Sequence, residues 1–153
     1  MVAAAKSDRS DFTLVCPACG NQNENALFDW ARTTGNDSVF LIPPSMSNFR
    51  EKAERAVVVD WKAIAYRPDE MIEWFHRLEA INGGEGSLKN VSGTGLRDNS
   101  RYDSLSTEAL RAVIRTYDVD YVVINRDTIS EARAPSVVYE NGDFLVFPTQ
   151  NLK

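Results

Sequence analysis

Apolar residues along the chain follow two rhythms, a helical spacing of about 3.6 residues and short unbroken runs of strand length. Leu27, Trp30 and Ala31, at i, i+3 and i+4, predict a first helix over Asn25–Thr34, with Gly35 as its stop. Val39–Ile42 is a continuous apolar run closed by Pro43-Pro44, the pattern of a strand buried on both faces. Ser45 or Ser47 is placed to cap a short helix carrying Phe49 and Ala53. Val57–Val59 reads as a second strand, β-branched throughout.

Pro68 followed by Asp69-Glu70 opens a longer helix, because proline suits the first position and carboxylates suit the positive end of the helix dipole. Met71, Trp74, Phe75, Leu78 and Ile81 form its core stripe, and Asn82-Gly83 ends it. Residues 83–105 are a polar connection holding five of the eight glycines and read as a mobile surface loop. Ser106 caps a further helix with Leu110, Val113, Ile114 and Tyr117 on one side, and strand Tyr121–Ile124 follows. Val137–Glu140 and Phe144–Phe147 flank Asn141-Gly142, a strong hairpin signal.

Strands alternating with helices imply a mainly parallel sheet with right-handed crossovers, and the last two strands add an antiparallel edge. The expectation is an α/β fold: a three-layer, Rossmann-like single domain over residues 24–153, preceded by a leader or linker, residues 1–23. A chain of 153 residues with 43% hydrophobic residues can bury such a core without staples.

Charge narrows the partners. A net charge of -5, with basic residues scattered, lacks the basic face that nucleic acid demands and disfavours an anionic membrane surface. No run approaches the ~20 apolar residues that cross a bilayer. His76 is the single histidine, and it lies opposite the core stripe of its helix, so neither a triad nor a multi-histidine metal site is expected. The sequence calls for no metal and no cofactor. Gly84-Glu85-Gly86 follows no strand, which speaks against a phosphate-cradling loop.

Cys16 and Cys19, in Cys-Pro-Ala-Cys-Gly, suit a local disulfide or two plain thiols, a thioredoxin-like redox pair, or half of a zinc site shared between chains. In open parallel sheets, ligands bind beyond the carboxyl ends of the strands. That rule selects Pro43–Ser47, Asp60-Trp61-Lys62 and Asn125-Arg126-Asp127, with Arg50 and Arg55 on the helix between the first two strands. Arg50, Arg55, Asp60, Trp61, Lys62, Asn125 and Arg126 are therefore the candidate ligand-binding residues, with Trp61 as an apolar wall and a small anion as the ligand. The same groups also suit ion pairs that merely fix loops.

Several stretches of the chain look like one known family. Leu27-Phe28-Asp29-Trp30-Ala31-Arg32, Asp37-Ser38-Val39-Phe40-Leu41-Ile42-Pro43-Pro44 and Arg55-Ala56-Val57-Val58-Val59-Asp60-Trp61-Lys62 carry the likeness. So do Trp74-Phe75-His76-Arg77-Leu78, Tyr117-Asp118-Val119-Asp120-Tyr121-Val122-Val123 and Val138-Tyr139-Glu140-Asn141. Over roughly residues 24–148 the chain resembles the C-terminal extracytoplasmic domain of bacterial polytopic membrane proteins related to the C-type glycosyltransferase superfamily. It departs from that pattern at Thr33-Thr34-Gly35-Asn36, where a Thr-Pro is usual. The resemblance implies an accessory domain without the catalytic acids, which in that family sit on loops between membrane helices. It implies the membrane-embedded part of the same parent polypeptide as partner, with a lipid-linked sugar or glycan as a further one. It also implies an oxidising compartment, which favours a disulfide between Cys16 and Cys19.

Overall fold

A computed structural model describes residues 21–62, 64–91, 100–128, 136–150 and 152–153. Helix α1 spans Gln22–Arg32, β1 Val39–Leu41, α2 Phe49–Ala53, β2 Ala56–Val57 and α3 Pro68–Ile81. They are followed by α4 Ser100–Asp103, α5 Thr107–Thr116, β3 Tyr121–Asn125, a 3-10 turn Arg126–Thr128, β4 Tyr139–Glu140 and β5 Phe144–Pro148. The fold is mixed α/β, with one five-stranded sheet in the order β2-β1-β3-β5-β4.

β1 runs parallel to both neighbours, with Phe40 opposite Val57 on one side and opposite Tyr121 on the other. β3 and β5 pair antiparallel over five residues, from Tyr121 opposite Pro148 to Asn125 opposite Phe144. β4 closes the far edge against β5. The three apolar runs seen in the sequence thus lie side by side, and their carboxyl ends share one rim.

Side chains alternate across a strand, so an unbroken apolar run must bury both faces. Phe40, Tyr121, Val123, Phe144 and Val146 pack with Leu27, Phe28 and Ala31 of α1 and Phe49 and Ala53 of α2. Val39, Leu41, Val122, Ile124 and Phe147 pack instead with Leu78 and Ile81 of α3 and Val113 and Ile114 of α5. Phe40 anchors the first group, with the Phe49 and Tyr121 rings each 5.0 Å away. Burying one such ring contributes about 1.5–3 kcal/mol.

The helix ends follow local chemistry. Asn21 caps α1 by accepting from the Asn23 N–H, and Ser106 caps α5 by accepting from the Ala109 N–H at 3.1 Å. α3 starts at Pro68 and stops at Asn82, as expected. Gly83 and Gly84 follow with φ of +110° and +102°, and the Gly84 N–H reaches back to the Glu79 carbonyl at 2.8 Å.

Five expectations need correction. Asn48, not Ser45 or Ser47, stands at the N-cap of α2, and its side chain makes no cap there. Met71 is exposed rather than core, because α3 is covered mainly along its second half: Leu78, Glu79 and Ile81 are buried there, while Met71 and Ile72 stand exposed. The 83–105 connection contributes to the core: Leu88 and Tyr102 are buried, and Tyr102 sits on the short helix α4. Arg55 lies beyond the end of α2, after Glu54 turns the chain through a left-handed φ of 54°. The hairpin connection is three residues, Asn141–Asp143, and Gly142 has no positive φ. The Asn141 side chain closes it by accepting the N–H groups of Asp143 and Phe144 at 3.0 and 2.9 Å. Cys16 and Cys19, with the whole 1–20 segment, lie outside the described residues.

Candidate functional site at the strand ends

The rim where β1, β2 and β3 end gathers the sequence-selected residues only in part. Asp60, just past β2, is 3% exposed, and its carboxylate lies 3.4 Å from Arg50 Nε of α2. Trp61 packs on Trp74 of α3 with ring centroids 5.8 Å apart. The Trp74 indole N–H donates to the Asp60 carbonyl at 2.9 Å. Lys62 turns outward and donates to the Asn48 side-chain oxygen.

Arg55 is directed elsewhere. It is buried, and its guanidinium donates to the carbonyls of Arg32, Thr34 and Glu54 and to the Thr34 hydroxyl. The Arg32 and Thr34 acceptors stand where α1 ends, so Arg55 caps that helix, while the Glu54 carbonyl belongs to the end of α2. Asn125 and Arg126 belong to the β3 end, two strands from β2, a separation of about 9–10 Å. Asn125 donates to the Asp103 carboxylate of α4, at 3.3 and 3.4 Å to its two oxygens. Arg126 donates to the Asn141 carbonyl at 2.8 Å and lies 3.7 Å from Glu140, which ties β3 to the hairpin turn.

Between β1 and β3, the crevice where open sheets take their ligands holds a side chain of the chain itself. The Tyr102 hydroxyl is 2.6 Å from the Val123 carbonyl and 3.3 Å from that of Leu41. Burial, reinforced by the neighbouring Asp103 charge, pushes its pKa well above the ordinary 10.0, so the phenol stays a donor.

The open space lies one strand over. A cleft of about 380 Å³ runs between Val58-Val59, Arg50 and Ala65 on one side and Asp69, Glu70, Glu73, Trp74 and Arg77 of α3 on the other. Arg77 is held by Glu73 at 2.8 Å and by the Val58 carbonyl at 3.2 Å. Its guanidinium also lies 5.4 Å from the centre of the Tyr117 ring. Arg67, which does not itself line the cleft, pairs with Asp69 at 3.0 Å and Glu70 at 3.5 Å. Of the sequence-selected residues, Arg50 alone lines this space. Glu73 and Arg77 were legible as an i, i+4 ion pair, but Trp74 was assigned wholly to the core.

The molecule is thus a mixed α/β domain with a polar cleft beside its edge strand β2. A family model described as a domain of unknown function, DUF6798, matches residues 22–81, the stretch from α1 to the end of α3 that supplies every wall of the cleft. No curated protein matches the chain.

Proposed function

We propose that the chain is a non-catalytic accessory or interaction domain of a membrane protein of glycosyltransferase type, built as a Rossmann-like three-layer unit and facing an extracytoplasmic compartment. The reading rests on the resemblance carried by residues 24–148. One observation supports it most directly. Within nine residues beside the cleft, Tyr66 is 100% exposed, and Ile64, Met71 and Ile72 are 43%, 45% and 58% exposed. Exposed apolar side chains this close together along the chain support an interaction surface. The occupant proposed is the membrane-embedded part of the same parent polypeptide, the partner that the resemblance implies.

The experiment is cell fractionation in the native host, with the chain tagged at its endogenous locus. The wild type is expected in the membrane fraction at an extracytoplasmic location, and Met71→Asp/Ile72→Asp is expected to lower the yield of the intact parent assembly while leaving the purified domain's melting unchanged. A wild-type product found wholly in the soluble fraction, or transfer of sugar from a lipid-linked donor by the isolated chain, would defeat the reading.

A further inference from the structure

We propose that the open edge of β2 takes an extended segment of a second polypeptide as a sixth strand of the sheet, with a basic side chain of that segment set against Glu54. This edge is separate from the docking surface proposed above and contains none of its four residues.

The strand register leaves backbone groups open. β2 is an outer strand with β1 on one side. Ala56 lies opposite Val39 and Val57 opposite Phe40, and the Val58 N–H donates to the Phe40 carbonyl at 3.0 Å. Backbone groups alternate in direction along a strand, so Ala56 and Val58 address β1 while Val57 turns its N–H and carbonyl outward. Val59, two residues on, makes no backbone hydrogen bond among the described residues. Both valines are buried, at 5% and 3% exposure. A buried main-chain group without a partner costs about as much as a lost hydrogen bond, and an added strand supplies that partner.

The space beside the edge suits a single strand. Glu54, Arg55, Ala56 and Val57 line a hollow of about 420 Å³, Val58 and Val59 line the cleft of about 380 Å³, and Arg50 borders both. Six consecutive strand residues run for about 20 Å. Asp69, Glu70, Glu73 and Trp74 of α3 wall the second hollow. A lone extended chain fits between these walls, whereas a second copy would bring its own α2 and α3 against them.

Charge separates a peptide from an ion. Arg50 is paired with Asp60, Arg77 with Glu73, and Arg67 with Asp69 and Glu70. The ionic groups around the cleft thus satisfy one another, and the open main-chain groups are left to a guest that carries donors and acceptors in alternation. Glu54 differs: it is exposed at the other end of the edge and has no ion pair among the described residues. A Lys or Arg of the added strand meets it there.

Selection from a random octapeptide library displayed on phage, followed by ¹H–¹⁵N NMR titration of the purified chain with the synthetic peptides, tests this. The enriched peptides are expected to carry Lys or Arg, to shift the Val57 and Val59 amide signals saturably, and to slow the hydrogen exchange of both. N-methylation of every second peptide nitrogen removes the donors of one edge and keeps every side chain. One of its two alternations is expected to weaken binding about tenfold or more. Val57→Pro removes an outward donor on an edge strand, where proline is tolerated, and is expected to weaken binding about tenfold, with a thermal melt to establish that it folds. The proposal is overturned if no selected peptide saturates, if the binders are acidic, or if both N-methylated forms bind as the parent peptide does. It is also overturned if the Val57 amide of the free chain gains protection as protein concentration rises, which would give the edge to a second copy.

Discussion

Removing the Arg55 guanidinium tests whether this residue is a helix clamp or a ligand contact. The last carbonyls of α1 lack helical partners by construction. Thr33 and Thr34 N–H groups take those of Trp30 and Ala31, at 2.9 and 3.1 Å. The carbonyls of Arg32 and Thr34 fall to Arg55 Nη2, the latter at 2.8 Å. A hydrogen bond to a charged group is worth about 1.5–3 kcal/mol, so losing these two costs about 3 kcal/mol at the lower value. The favourable placement of a cation at a helix carboxyl end adds about 0.3–1 kcal/mol. For a chain of this length each kcal/mol moves Tm by about 2–4 °C, so Arg55→Ala is expected to melt roughly 7–16 °C lower. Arg55→Lys keeps the charge but not the fork, and should recover only part of that loss. The assay is thermal unfolding by far-ultraviolet circular dichroism at neutral pH. An Arg55→Ala melt within about 2 °C of wild type would refute the clamp and return Arg55 to the pool of ligand residues.

Three further outcomes follow from two titrating groups. Tyr102→Phe keeps the ring but leaves the Leu41 and Val123 carbonyls without its hydroxyl, and is expected to cost about 1–2 kcal/mol in denaturant unfolding. The Tyr102 pKa is raised in the fold, so its stabilisation is complete below the unfolded value near 10.0 and is lost as pH rises through the folded one. An ultraviolet tyrosinate titration should therefore show Tyr102 ionising only as the chain unfolds, and its ionisation in chain still folded by circular dichroism would count against the buried hydroxyl. The Asp143 carboxyl is held below its ordinary value chiefly by the Asn21 side chain and also by Asn23. Its stabilisation is present above the unfolded pKa of about 4 and fades as pH falls through the folded value. Asp143→Asn should flatten the fall of Tm with acid in that window, and an unchanged slope would contradict the contact.

The order and type of the main elements were legible because each rests on local rules. Pro68 with Asp69 and Glu70 starts α3, Asn82-Gly83 stops it, and Ser106 caps α5 wherever the rest of the chain goes. The runs at Val39, Val57 and Tyr121 announce strands covered on both sides, and they pair as neighbours in one sheet. Short-range chemistry even located the hairpin, though Asn141 closes it with its side chain rather than through a positive-φ glycine turn.

The site was legible only in outline. A strand-end rule names a rim, but side chains reach about as far as two strands are apart, so which of them meet depends on helix placement. Arg55 reads as one more basic residue near the rim until α1 is seen to end against it. Tyr102 sits in a stretch whose glycines and polar residues mask a buried helix turn. Met71 obeys the core spacing of α3, yet periodicity carries no information on how far along a helix its cover extends. Local composition determined the elements of this protein. Only the packing of α3 across the edge of β2 decided where the cleft opens and which charges face it, because those are contacts between residues far apart in the chain.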